Sequence, residues 1–413
     1  MDEDRLRKDF QTLAQIGRLP DGGVSRTSFS DAHLAARRWF QERATAAGLE
    51  TRVDAAGNHS AVLAGPPQVS KTLLLGSHLD TVPVAGCYDG ALGVLAALEV
   101  LRSVKDARLA LPVTLEAIDF SDEEGAVVGL LGSFAVSGAL TEEMLAAPRG
   151  GRHSVLAAIA RAGLSEERLS DARRDPATLA GYLELHIEQG PVLERDGIDI
   201  GVVTAIAGSR SYRLTFEGAR RHAGTTPMDG RQDALLGAAR FALGVRVALM
   251  GRFPGCVGTV GGVEVDDAAF NVVPGRVRVQ LELRAPNTEQ LDALETEVLE
   301  VVAHDAAGAD LGLVVERVGR WEPVALDASI QKRILEATSD LGLSAIQLPS
   351  GAGHDAQALA QITPTGMIFV PSVGGISHDP DERTRWVDCV NGANVLLATA
   401  LRLAQGRGGA QAG

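Results

Sequence analysis

The feature that most constrains this chain is a regular change of period in its first third. Residues 32–48 carry apolar side chains at helical spacing, and short apolar runs at 61–64 and 72–76 read as strands. Gly90 to Leu101 is rich in Ala, Leu and Val and reads as a helix, and Val113 to Phe120 reads as another buried strand. An unbroken apolar strand has to be covered on both faces, so this alternation predicts an α/β fold with a mixed central sheet and helices on its faces. Around Gly208 the texture changes. Ser211 to Phe216 alternates polar and apolar residues, a helix-like stretch follows at 231–249, then strands near 257–265 and 276–284 and a helix at 288–304. That order predicts a smaller α+β domain, 209–325, inserted into a first domain formed by 1–208 and 326–413. Patterns at 328–342, 366–370 and 391–405 complete the first domain, and the Gly-rich tail after Gln405 is expected to fray.

Composition removes several functions. The 413 residues hold 39 Lys plus Arg against 53 Asp plus Glu, a net charge of −14 with no basic stripe, so a nucleic-acid partner is not expected. Apolar runs such as Leu73-Leu74-Leu75 are too short to span a bilayer, and the charged start Met1-Asp2-Glu3-Asp4-Arg5 lacks an export signal. Three widely spaced cysteines, Cys87, Cys256 and Cys389, read as reduced thiols in a cytoplasmic protein.

The chemistry gathers where the apolar runs end. Gly76-Ser77-His78-Leu79-Asp80 closes the run at 72–76, and ligands in open α/β sheets collect at the carboxyl ends of strands. Asp80 points to the same side as His78 and is expected to accept its second ring N–H, fixing the tautomer of a metal ligand. Asp89, at the start of a helix, reads by itself as an N-cap. Asp119-Phe120-Ser121-Asp122-Glu123-Glu124 is either a solvated acidic loop or a cluster that cations compensate. Adjacent glutamates suit a division of labour in which one binds metal and the other moves protons. His186 and Glu188 share a face of the strand in Tyr182 to Gly190, and His378 follows the strand Met367 to Val370. A lone histidine is usually structural; three histidines with two carboxylates at the ends of strands of one sheet are an N/O donor set for zinc or manganese. His354 reads either as lining a pocket or as packing at a helix start.

These segments resemble the dinuclear metal hydrolases of the M20 peptidase clan, and more closely their hydantoinase/carbamoylase branch of N-carbamoyl-L-amino-acid hydrolases, allantoate amidohydrolases and β-ureidopropionases. The resemblance runs from Gly57 to Glu382. It is carried most specifically by Leu185 to Pro191, His222 to Met228 and Asn271 to Gly275. It implies two divalent ions per subunit, Zn2+ or Mn2+ with Co2+ or Ni2+ as alternatives. Asp89 would bridge them, one ion being held also by His78 and His186 and the other by Glu124 and His378. It implies that Glu123 is the general base, and that Gln189, Asn271 and Arg284 hold the substrate. His222 would polarise the scissile carbonyl in the partner subunit of a homodimer, and the inserted domain would serve as lid and dimerisation domain. The expected reaction is hydrolysis of the ureido C–N bond of a small ureido acid. An N-acyl-amino-acid amidohydrolase or metallopeptidase on the same site, and a non-catalytic binding protein of this fold, are the alternatives. Two stretches depart from the branch: Ala126-Val127-Val128 after the paired glutamates, and Arg220-Arg221 before His222.

Overall fold

The computed structural model describes residues 1–68, 71–146 and 151–406, so all but the first residue of the tail after Gln405 lies outside the described residues. Two compact units emerge: Met1–Thr204 with Leu326–Leu348 and Gly353–Gly413, and Ala205–Ala325 with Pro349–Ala352.

The first unit is built on a mixed sheet in the order Glu50–Val53, His59–Leu63, Thr114–Phe120, Thr72–His78, Leu179–Ile187, Thr365–Val370, Ile200–Ile206. The four central strands of this order are mutually parallel; His59–Leu63 and Ile200–Ile206, on either side of them, run antiparallel to them, and Glu50–Val53 pairs antiparallel with His59–Leu63. In register, His78 stands beside Phe120 and His186 beside Phe369, so parallel strands deliver their carboxyl ends to one edge of the sheet. The helix Ala91–Asp106 is buried along almost its whole length. A helix that is apolar all round needs cover on every side. It packs on the central strands, on the helix Glu3–Leu13 and on the helix Trp386–Gln405. Its two buried charges are matched: Glu99 accepts from Arg5 at 2.7 Å, and Arg102 pairs with Asp9.

The second unit has its own four-stranded antiparallel sheet, ordered Gly312–Trp321, Gly208–Glu217, Arg276–Ala285, Val257–Val265. Strand Arg276–Ala285 alternates in burial, with Val277, Val279, Leu281 and Leu283 turned to a core shared with Phe216, Phe241 and Leu294. Gly312–Trp321 is a strand that the sequence pattern did not announce. Almost all its positions are exposed or half-exposed, so it lacks the period-two signal, and a bulge between Arg317 and Gly319 breaks its register.

Three expectations need correction. The break between units falls at 204/205 rather than 208/209, because Ile200–Ile206 runs into Gly208–Glu217 with only Ala207 between them. The segment Pro349–Ala352, expected in the first domain, groups with the second; Ala207 N–H donates to Ser350 O at 2.9 Å and Arg284 to Gly351 O at 2.7 Å. The helix Ala234–Arg252, at 19 residues, is long and apolar enough by composition to cross a bilayer. Arg240 and Arg246 interrupt its apolar run in the sequence. About a third of it is buried, on the face packed against the sheet of its own unit.

Gly93 marks the tightest approach of the buried helix to the sheet. A Cβ there would lie 2.3 Å from Leu185 O and 2.8 Å from Ser77 Cβ. Gly93→Ala should therefore destabilise the chain by about 1–3 kcal/mol, the usual range for overpacking a core. Urea unfolding checks this, and an unchanged midpoint would contradict the packing described.

Candidate metal centre

Asp89 lies between three imidazoles. Its Oδ1 is 3.0 Å from His186 Nε2 and 3.4 Å from His78 Nε2, and its Oδ2 is 3.4 Å from His378 Nε2. The Nε2 of His378 is also 3.5 Å from Glu124 Oε2. Two triads result, His78–Asp89–His186 and Asp89–Glu124–His378, each with its donor atoms within 4.8 Å of one another. Local structure sets the tautomers. His78 Nδ1 is 3.0 Å from the carbonyl of Asp80, and His186 Nδ1 is 2.9 Å from that of Ile187. A carbonyl only accepts, so each Nδ1 carries a proton and each Nε2 is turned to a carboxylate oxygen of Asp89. Lone pairs facing at such distances need a proton or a cation between them. Two donors on one tetrahedral ion, each at about 2.0 Å, lie about 3.3 Å apart, which these separations match. The donor set fits a divalent ion.

The acidic loop is ordered from beneath. Asp122 accepts N–H bonds from Val127, Val128 and Gly129 at 2.6–2.9 Å, which wraps the segment after the paired glutamates around it. Asp80 plays a different part from the one expected. Its carboxylate is 3.6 Å from His78 Nδ1, and its backbone carbonyl holds that ring instead. The carboxylate accepts from Ser28 Oγ at 2.6 Å and from the N–H groups of Glu123 and Glu124 at 3.3 and 3.2 Å. Asp80 thus positions the glutamate pair. Glu123 Oε2 lies 3.6 Å from His78 Nε2.

Charge crowding shapes the titration of the metal-free cluster. Burial, with the charges of Glu124 and Asp355, holds Glu123 well above the ordinary carboxylate range despite His78. Burial and the charge of Asp89 push Glu124 up to about 7. Burial opposes ionisation of Asp89, yet His186, His378 and His78 hold it well below its ordinary value. The hydrogen bond to Asp89 pushes His378 up to about 9.

Gln189 joins the same cluster. Its Nε2 donates to Asp89 Oδ2 at 2.7 Å and lies 3.4 Å from His378 Nε2. Gln189 and His378 both adopt positive φ, 56° and 58°, a backbone cost of the kind found at functional positions. The other expected substrate residues belong to the second unit. His222 pairs in register with Val272, and its Nδ1 accepts N–H bonds from Gly224 and Thr225 at 3.2 Å, which leaves the proton on Nε2. The backbone carbonyl of Asn271 accepts from Ala223 N–H at 2.8 Å. Arg284 donates to Glu282 at 2.7 Å and to Gly351 O.

His354, which the sequence left open between lining a pocket and packing at a helix start, is buried just before the helix Asp355–Leu359 and stacks edge-on against His186 with ring centroids 4.5 Å apart. Ser28, Ser377 and Glu382 touch Asp80 or Asp89 through hydrogen bonds that cross tens to hundreds of residues, a relation that local pattern does not carry.

A buried sheet of parallel strands whose ends gather histidines and acids defines a class of metal hydrolase, and comparison with known proteins agrees. Residues 74–402 match the model of peptidase family M20/M25/M40. The chain is 38% identical over 405 residues to N-carbamoyl-L-amino acid amidohydrolase of Geobacillus stearothermophilus, covering 98% of this chain and 99% of that one. It is 34% identical to allantoate amidohydrolase of Bacillus subtilis, covering 96% of each. A hydantoinase/carbamoylase family amidase of Burkholderia multivorans superposes with a TM-score of 0.89 at 36% identity, covering 98% of each chain. The chain belongs to the M20/M25/M40 peptidase family, in its hydantoinase/carbamoylase branch.

The shifted groups give the metal-free protein a pH dependence. A carboxyl raised from 4.5 to about 7 lowers stability as pH climbs through that interval. An imidazolium raised from 6.5 to about 9 stabilises below 6.5 and loses that contribution as pH rises through 9. Both act in one direction. Chelator-treated protein should melt progressively lower from about pH 5 to about pH 9, and saturating Mn2+ or Zn2+ should flatten the decline. Equal slopes with and without metal would contradict the cluster described.

Proposed function

We propose that this chain hydrolyses the ureido C–N bond of an N-carbamoyl-L-amino acid or a related ureido acid such as allantoate, releasing ammonia and carbon dioxide. The observation that carries hydrolysis is the placement of Glu123 beside the two ligand triads, 3.6 Å from His78 Nε2. The ureido substrate class is supported by the full-length relatives, which are named for N-carbamoyl-L-amino acids and allantoate. We assign two divalent ions, Zn2+ or Mn2+, to His78, Asp89 and His186 and to Asp89, Glu124 and His378. When bound, such ions lower the pKa of a water and polarise a carbonyl oxygen.

The chain's own residues supply the rest. Glu123 takes the proton of the attacking water and returns it to the leaving nitrogen. Asp80 keeps Glu123 and Glu124 aimed through their backbone N–H groups. His222, with its proton on Nε2, acts at the site of the partner subunit, where it donates to the oxygen on which negative charge develops and where preorganised donors act most strongly. Gln189 and Asn271 hold the substrate. Arg284 grips the substrate carboxylate after releasing Glu282, an exchange of one carboxylate for another in a half-exposed pair.

We further propose that the protein works in the cytoplasm as a homodimer joined through the second unit, which also acts as a lid. The helix Ala234–Arg252 leaves Leu236, Leu243, Val247 and Met250 exposed at spacings of seven, four and three, a single apolar stripe. The neighbouring strand Val257–Val265 is an open sheet edge with Val257 and Val263 exposed. An apolar stripe beside an unpaired edge is a surface that a second copy would cover.

Metal-loaded protein should release ammonia from N-carbamoyl-L-amino acids, allantoate or N-carbamoyl-β-alanine. Turnover of only N-acetyl amino acids or dipeptides would overturn the substrate assignment. Glu123→Gln should lower kcat by about 10²–10⁴ with metal content unchanged, and near-full activity would remove Glu123 as the base. Leu243→Glu should convert the dimer into a monomer in light scattering; a wild-type mass of one chain would refute the dimer.

A further inference from the structure

The two triads are not held with equal firmness. His78 and His186 stand on or at the end of parallel strands, buried, each ring locked by a backbone carbonyl. His378 stands on a loop, and its side chain is 47% exposed. Asp89, shared by both triads, follows the loop that contains Gly86 and precedes Gly90, whose φ is +61°. Neither His378 nor Asp89 therefore owes its place to regular structure.

One buried side chain ties these two loops together. Glu382 is 2% exposed. Its Oε1 accepts the backbone N–H groups of Tyr88 and Asp89 at 2.9 and 3.1 Å, across 294 and 293 residues of sequence. Its Oε2 lies 2.9 Å from Ser377 Oγ, and that hydroxyl lies 3.0 Å from Asp89 Oδ2. Ser377 immediately precedes His378, so the hydroxyl joins the loop of one ligand to the carboxylate of the other. Gly86 makes room for the arrangement, since a Cβ there would lie 2.4 Å from Glu382 Cβ and Oε1. A turn holds Glu382 in place, with its N–H donating to Asp379 O at 3.0 Å.

Resting on the two-ion reading above, we propose that Glu382, acting with Ser377, is a positioning residue for the ion held by Asp89, Glu124 and His378. It sets the spacing of Asp89 and His378, and through it the affinity of that ion selectively. The ion held by His78, Asp89 and His186 depends on the clamp less, because two of its three ligands are fixed by strands and carbonyls. Groups that orient metal ligands typically change metal affinity about 10–100-fold when removed.

The test is equilibrium dialysis of chelator-treated protein against graded Mn2+ and against graded Zn2+, with bound metal counted per chain. Wild type, Glu382→Ala, Glu382→Gln and Ser377→Ala are compared. Wild type should bind two ions. Glu382→Ala should keep one at wild-type affinity and lose about 10–100-fold on the other. Ser377→Ala should shift the same ion in the same direction by less. Glu382→Gln should recover much of the affinity, since an amide oxygen can accept both N–H bonds and its nitrogen can donate to Ser377. A merely structural role would weaken both ions equally or neither, and either result overturns the proposal. If Glu382→Ala does not fold, an unchanged second-ion affinity in Ser377→Ala overturns it. A wild-type chain that binds fewer than two ions would overturn the two-ion reading itself, and that result is read separately from the variants.

Discussion

The position of Asp89 between three imidazole nitrogens is the constraint on which the rest of this structure depends. A buried carboxylate faced by unprotonated ring nitrogens is unfavourable without positive charge, and burial in a low-dielectric interior makes the conflict sharper. The protein nevertheless builds that conflict from rigid parts. The carbonyls of Asp80 and Ile187 turn two rings so that their Nε2 atoms converge on Asp89. Only a cation or added protons relieve such an arrangement, so the cluster reads as a site made for metal rather than as a chance gathering of acids.

Support for this geometry comes from close backbone approach. Gly90 sits so near His78 that a Cβ would come within 2.4–2.5 Å of the ring, and its positive φ would strain any other residue. Gly93 lets the buried helix touch Leu185 and Ser77, next to both ligand strands. The helix that follows Asp89 is thus seated directly on the strands that carry His78 and His186. Packing density and ligand geometry are here one problem, since a shift of the helix would displace Asp89 relative to both rings.

A second layer of carboxylates aims the first. Asp80 orients the glutamate pair, Asp122 gathers the loop behind it, and Glu382 reaches across to Asp89. Each accepts backbone N–H groups, which fixes loop shape and leaves the ligand side chains turned to the cluster. Acidic residues in this chain therefore do two jobs that composition cannot separate. The segments Ala126-Val127-Val128 and Arg220-Arg221 fall outside the ligand set. Val127 and Val128 serve Asp122 through their backbone N–H groups, and the Val127 side chain is buried in an apolar cluster with Phe29, Ala56 and Leu131.

By itself the sequence determined the helices near 32–48 and 90–101 and the strands near 61–64, 72–76, 113–120 and 366–370 of the first unit, and that His78, Glu123, Glu124, His186 and His378 lie in, at the end of or after such strands, with Asp89 at a helix start. Those signals are local: apolar period, strand length and short motifs lie within a few residues of one another. Only the tertiary structure decided that Asp80 serves the glutamates instead of His78, that Glu382 and Ser28 belong to the centre, and that His354 packs on His186. The exposed strand Gly312–Trp321 and the affiliation of Pro349–Ala352 with the second unit were likewise settled by pairing rather than by pattern. In each case the deciding contact joins residues far apart in the chain, and one-dimensional periodicity holds no record of which distant partner a polar group or a strand edge will find.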